Sequence, residues 1–178
     1  MNFLALCKRL RQEAGIAGAG PTTVLNNTGQ LKLVVDWVYD AWIDIQIMRP
    51  NWRFMSEEFI FETTAGVRDY KITDFAINNL KLWDMRTFLM FDKAVGESDQ
   101  SRLKYIEYEL WRDSYRLRMN DRSPDRPTIV TLLNNNSVRL EANPDKIYVV
   151  EGEYKRTSQK LTADLDELTN FPEDFHMM

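Results

Sequence analysis

Histidine occurs once in the 178 residues, as His176, and cysteine once, as Cys7. A general base must be held by an orienting partner, and His176 stands too near the end of the sequence to be a buried base of that kind. One Cys and one His cannot supply the usual four ligands of zinc. Cys7 leaves no internal disulfide to form and reads as a small buried apolar side chain in a reducing compartment. Asp164-x-Asp166-Glu167 begins like a calcium loop. Thr169, however, stands where that turn needs glycine and Phe175 where a bidentate glutamate belongs, so the segment reads as a solvated acidic loop. Gly15-Ile-Ala-Gly18-Ala-Gly20 has the glycine density of a phosphate loop but neither a strand before it nor Lys-Ser or Lys-Thr after it; it reads as an interhelical connection. Carboxylate pairs such as Glu107 with Asp113, or Glu151 with Glu153, leave a carboxylate-dependent hydrolase open as a reading. With 27 acids in the chain, such pairs also arise by chance.

Charge narrows the classes further. The net charge of −4 argues against a general nucleic-acid binder. The acidity is concentrated at the end, where Asp164, Asp166, Glu167, Glu173 and Asp174 follow Lys160 with no Lys or Arg among them. Arg102, Arg112, Arg116, Arg118 and Arg122 interleave with Tyr105, Tyr108, Trp111 and Tyr115, which keeps a nucleic-acid-binding module as an alternative. Glu107, Glu109, Asp113 and Asp121 in the same stretch largely neutralise it and favour a helix with one core face and one salt-bridged face. Met1 to Leu6 is too short and lacks the basic start of a signal sequence, and nothing approaches a membrane span.

These residues must be positioned by an α+β fold, expected here as a single domain over residues 1–178: a helical bundle of about three helices, with the start of a fourth at the end, and an antiparallel β-sheet. Composition allows it, since 44% hydrophobic and 12% aromatic residues are ample for a packed core. Phe3, Leu6, Cys7 and Leu10 recur at helical spacing and predict a short helix near 2–13. Asn27 or Thr28 caps a second helix near 28–48, with Leu31, Val34, Val35, Val38, Trp42 and Ile45 on one stripe, Trp37 and Ile47 widening it, and Pro50 closing it. A third helix is expected over 98–118, with Leu103, Ile106, Leu110 and Leu117 on one face and Tyr108, Trp111 and Tyr115 beside it. Between helices two and three the period changes to two, predicting strands within 59–91, and further strands are expected within 127–156. Residues 157–178 read as an extended acidic segment ending in Phe171-Pro172-Glu173-Asp174-Phe175. That ending is a helix start with no helix after it, so the chain is expected either to continue in a longer protein or to fold there on a partner.

Two segments taken together resemble the bacteriophage head-to-tail adaptor (connector) family, which includes tubular tail proteins of short-tailed phages. The first is Phe59-Ile-Phe-Glu-Thr-Thr-Ala-Gly66-Val-Arg-Asp-Tyr70-Lys-Ile72-Thr-Asp74-Phe75. The second runs from Arg126-Pro127 through Leu140, Asn143-Pro144-Asp145 and Tyr148 to Tyr154, then Leu161-Thr162, Asp166 and Phe171-Pro172-Glu-Asp-Phe175-His176. In that family the chain goes on from the Pro-x-x-Phe-His position into further helices. The resemblance implies a structural virion protein without catalytic activity or cofactor, made in the cytoplasm of the host bacterium. It would form a ring, dodecameric by expectation, at the neck beneath the portal protein, with a tail or nozzle protein below and DNA passing through without specific binding. Trp52, Phe54, Tyr108, Trp111 and Tyr115 are then candidates for subunit contacts. Leu161, Leu165, Leu168, Phe171 and Phe175 lie in a segment with few strand or helix signals, and they are expected to gain burial on an adjacent subunit or on the portal. On that reading, deleting everything after Ser158 leaves the fold soluble and abolishes assembly.

Overall fold

The computed structural model describes residues 1–49, 52–116 and 123–171. The fold is α+β, and the chain divides into two compact units where one domain was expected. One unit is Met1–Met55 with Thr157–Met178, and the other is Ser56–Arg156. The reason lies in the strand pairing. The strand that enters the second unit and the strand that leaves it are hydrogen-bonded neighbours, with Ser56 opposite Lys155, so the whole stretch closes on itself as an insertion.

The first unit holds α1 (Phe3–Glu13) and α2 (Gly29–Met48). Asn2 caps α1, its side-chain oxygen accepting from the Ala5 N–H at 2.9 Å. Thr28 occupies the cap position of α2 without a side-chain capping bond. Phe3 and Cys7 from α1, Val34 and Trp42 from α2, and Val24, Phe54, Met55 and Leu161 form the buried core, with Leu10, Val35, Val38 and Ile45 packed against it. The apolar stripes expected of both helices are therefore the ones that meet. Pro50 and Leu117 lie outside the described residues.

The second unit contains two four-stranded sheets. The first has the order β1 (Ser56–Glu62), β8 (Tyr148–Arg156), β3 (Leu80–Asp92), β4 (Ser101–Arg102), all antiparallel. The second has the order β2 (Asp69–Tyr70), β7 (Val138–Leu140), β6 (Ile129–Leu132), β5 (Lys104–Tyr105), and it is mixed, since β5 runs parallel to β6. Sixteen buried residues form their shared core, among them Phe59, Phe61, Trp83, Phe88, Val130, Tyr148 and Tyr154. The long strand β3 is bulged between Asp84 and Leu89. Within the bulge the Thr87 hydroxyl donates to the Asp84 carbonyl and accepts from the Glu153 N–H, both at 2.7 Å, replacing the interrupted ladder with a side chain.

The expected helix over 98–118 is corrected here. A single 3-10 turn (Glu97–Asp99), β4 and β5 occupy its first half, and α3 is only Tyr108–Tyr115. Leu103 and Ile106 sit at helical spacing from Leu110, but Leu103, Tyr105 and the residues between also fit a period of two, and short apolar runs are ambiguous between the two patterns. The backbone settles it, with Leu103 N–H donating to Phe88 C=O and Ile106 N–H to Val130 C=O, each at 3.0 Å. Leu103 and Ile106 are buried under the sheets, while Leu110 is 59% exposed. The face that packs carries Trp111.

Candidate interaction surface

The terminal segment expected to leave its subunit is instead stitched into the first unit. Leu161 is 3% exposed and belongs to the core, and Leu168 and Phe171 pack against it; among the described members of the set Leu165 alone is exposed, at 79%. Phe175 and His176 lie outside the described residues. Phe171 closes an aromatic cluster, its ring 5.3 Å from Trp42 and 5.1 Å from Phe54, both edge-on, while Trp42 and Phe54 stack at 5.8 Å.

Among the described acids of this segment Glu167 is exposed and Asp164 and Asp166 are half-buried, and the carboxylates of the last two also bind backbone N–H groups. The Asp164 carboxylate accepts from Val24 N–H at 2.6 Å and from the Thr23 hydroxyl at 3.0 Å. The backbone carbonyls of Asp166 and Asp164 take the Phe3 and Leu4 N–H groups, at 2.7 and 3.2 Å, which the start of α1 would otherwise leave unpaired. Asp166 caps its own turn by accepting from Thr162 and Ala163 N–H, and those bonds hold its carboxyl below the usual carboxylate range. The carboxylates of Asp164 and Asp166 are thus tied to backbone donors, while Glu167 faces water.

Gln46 is the residue of this unit that the sequence reading passed over. It lies one turn after Trp42 on the buried face of α2, 1% exposed. Its side-chain amide donates to Gln159 C=O at 3.1 Å and accepts from Gln159 N–H at 2.7 Å, and the Gln159 side chain accepts from Thr169 N–H and donates to Glu167 C=O. A glutamine in an apolar stripe is the signal that could have found it, because a buried amide must be given partners.

The aromatic candidates for subunit contacts are mostly used inside their own units. Phe54 is core, and the half-buried Trp52 turns its indole N–H to the Ile45 carbonyl at 2.6 Å, satisfying the last turn of α2, with Arg49 over its ring. Trp111 is fully buried, stacked on half-buried Tyr108 at 5.9 Å and covered by the Arg139 guanidinium at 5.1 Å from its ring. Arg139 is in turn fixed by a bidentate pair with Asp69, both bonds 2.6 Å. Tyr115 is half-buried at the end of α3. The mixed arginine stripe does not form a single helical face: Arg102 is in β4, Arg112 pairs with Asp113, and Arg118 and Arg122 lie outside the described residues.

Two further clusters carry titratable groups. Glu151 and Glu153 flank Gly152 on β8, and the Gln100 side chain binds Glu151. Among the described residues no three carboxylate, histidine or cysteine groups converge to hold a metal ion. At the other cluster Arg126 grips Asp99 through both carboxylate oxygens at 2.8 Å, donates also to the Asp99 carbonyl and Ser101, and lies over the Tyr148 ring. Lys146 pairs with Asp92, and Tyr148 donates to Asp145 at 2.7 Å. Hydrogen bonds from Arg126 and Lys146 hold Asp99 and Asp92 below the ordinary carboxylate range, and burial pushes the Tyr148 phenol up. This is a brace for the β3–β4 connection, with every member occupied by another. Cys7 is likewise structural, its thiol pushed up to about 12 mainly by burial.

What remains is α2. Leu33, Trp37, Ile47 and Met48 are 50%, 51%, 61% and 70% exposed, and at 100° per residue they fall with Ala41, Asp40 and Asp44 on one outward face. The outward face is apolar on either side of a central line of two acids, Asp40 and Asp44, and these large apolar side chains stay uncovered. Beside this face Tyr39, Ile43 and Ile47 floor a shallow groove between Asp40 and Asp44 on one rim and Ser158 and Lys160 on the other.

No protein-family model matches the chain, and neither does any curated protein. No helix among the described residues is long and apolar enough to cross a membrane, so the apolar face of α2 is not explained as a span.

Proposed function

We propose that this chain is a structural assembly protein of a bacteriophage virion: a head-to-tail adaptor whose copies form a ring beneath the portal around the DNA channel and join capsid to tail. The observation that carries the reading is the mutual pairing of the two segments that resemble the adaptor family. β1 runs against β8 over seven residue pairs, and β2 runs against β7, so both segments build one sheet unit although they lie far apart in sequence. The turns within them also have defined work. Gly66 takes a positive φ of 80° in the Thr64–Val67 turn, and Tyr70 reaches back so that its hydroxyl accepts from Thr64 N–H and donates to Val67 C=O. The outward apolar face of α2 adds support, since a ring subunit must keep such a surface for its neighbours.

The test is cryo-electron microscopy of virions, or of the purified protein mixed with portal rings. A coaxial ring of this chain against the portal is the expected result. A protein found only free in the lysate, or inside the capsid away from the neck, would overturn the reading.

A further inference from the structure

We propose that the outward face of α2 is the docking surface for a second copy of this chain, and that the neighbouring copy presents the basic flank of its α1 there. The inference rests on the ring-forming reading in calling for a neighbour of the same kind, but its argument is one of charge and exposure. The face is apolar at Leu33, Trp37, Ala41, Ile47 and Met48 and acidic at Asp40 and Asp44. In α2 three acids, Asp36, Asp40 and Asp44, stand against Lys32, which is already paired with Asp36 at 2.8 Å. In α1 the balance is opposite, with Lys8, Arg9 and Arg11 against Glu13, which is paired with Arg9. Among the described residues Asp40, Asp44 and Lys8 have no ion-pair partner, and all three are exposed.

The same charges exclude the simplest alternative. Pairing α2 with α2 about a two-fold axis would bury Asp40 and Asp44 either against each other or against Leu33 and Trp37. Both arrangements leave carboxylates desolvated and uncompensated. The acceptable partner surface is therefore a different one on the neighbour, and a contact between two different surfaces of one chain propagates head to tail, closing into a ring when the rotation allows. Lys160 lines the same groove but forms no salt bridge with either acid among the described residues, and its one positive charge against two carboxylates leaves the face net acidic.

The experiment is sedimentation of the purified full chain from low to high micromolar concentration, with circular dichroism melts to establish that each variant is folded. The wild type is expected to self-associate. Trp37→Asp should weaken association by about thirtyfold or more, the loss typical of a central aromatic anchor. Met48→Lys, at the more exposed end of the face, is a second probe that does not depend on Trp37 being tolerated. Reversing Asp40 and Asp44 to lysine should weaken association about tenfold, and adding Lys8→Glu to that variant should restore most of the loss, because a reversed pair attracts again. A wild type that stays monomeric throughout overturns the proposal, as does association indifferent to both Trp37→Asp and Met48→Lys. Failure of Lys8→Glu to rescue overturns α1 as the facing surface. A solution monomer that nevertheless forms a ring in virions would leave the adaptor reading standing and remove this one; association through α2 by a protein absent from virions would do the reverse.

Discussion

The sheet unit and the helical unit use their apolar residues differently. In Ser56–Arg156 the large buried side chains form one continuous cluster, and the residues that ring it are tied off locally: Arg139 to Asp69, Arg126 to Asp99, Lys146 to Asp92. Trp111, although on a short helix at the margin, is fully covered. In the helical unit α1 and the irregular terminal segment pack against one side of α2. An eleven-residue helix is too short to cover the twenty-residue α2 on more than one side, so Leu33, Trp37, Ile47 and Met48 remain in water. Both units thus leave apolar side chains in water, the sheet unit at Ile60, Leu82, Val95 and Leu110 on separate elements and the helical unit along one face of α2, where on the proposed reading a second copy docks. A tryptophan count alone would not reveal this, because Trp111 and Trp37 differ only in what surrounds them.

The largest expected effect tests that contrast directly. Trp111→Ala should lower the unfolding free energy by about 3–5 kcal/mol, the range for emptying a large buried aromatic site. Trp37→Ala, half exposed, should cost about 1 kcal/mol or less. Urea unfolding followed by circular dichroism measures both, and equal losses would erase the distinction between the units. Next, the terminal segment should behave as part of the helical core: Leu161→Ala is expected to cost about 2–5 kcal/mol and Leu165→Ala within about 0.5 kcal/mol. Deletion after Ser158 should then unfold or aggregate the helical unit, in place of the soluble and assembly-defective protein expected from sequence. A truncated protein with an unchanged melt would restore the original view of the tail.

Much of the fold was legible because it is carried by strong local patterns. Phe3, Cys7 and Leu10 in α1, the alternation around Phe59 and Phe61, and the Asn134–Asn136 turn, where Asn136 has a φ of 60°, all read directly from residue type and spacing. The strand β3 was also found, but its bulge was not, since nothing in Asp84-Met85-Arg86-Thr87 marks one without the Glu153 partner. What could not be read was what depends on distant partners. Ser101–Tyr105 is strand because β3 and β6 offer it carbonyls, and Asp164 is a clip because Val24 N–H happens to lie beside it. The same holds for two of the residues expected at subunit contacts. Trp111 is covered by Arg139 and Phe54 by Phe171, and the exposed side of α2 was counted as a widening of the core stripe.

A further substitution sharpens the picture of the sheet unit as the tightly packed one. Gly152 lies in the central strand β8 opposite Phe59, and a Cβ there would come within 3.1 Å of the Phe59 ring and of Phe88. Gly152→Ala should therefore destabilise by about 1–3 kcal/mol, as overpacking does, despite the better strand propensity of alanine. Gly15, whose added Cβ meets nothing within 4 Å, has a positive φ of 66°, so Gly15→Ala should show the smaller cost of backbone strain alone. If the two variants unfold at the same urea concentration, the close approach at Gly152 is not a constraint.

The smallest effect expected concerns acid. Asp99 and Asp92 are held below the ordinary carboxylate pKa of about 3.9 by hydrogen bonds from Arg126 and Lys146, so in the unfolded chain they take up protons at higher pH than in the folded one. Their contribution to stability is fully present above the unfolded value and is lost as pH falls through the folded one. The urea midpoint should accordingly be insensitive to these two groups between pH 7 and about 5 and should decline below about pH 4. Asp99→Asn removes one of the two linkages while keeping the shape of the side chain. It should lower the midpoint at pH 7 and make the decline below pH 4 shallower. Because both carboxylates belong to the sheet unit, the change should appear in probes of that unit and leave self-association through α2 unaltered at neutral pH. Coincident curves for the wild type and Asp99→Asn down to pH 2 would show that the Arg126 brace contributes no net stability.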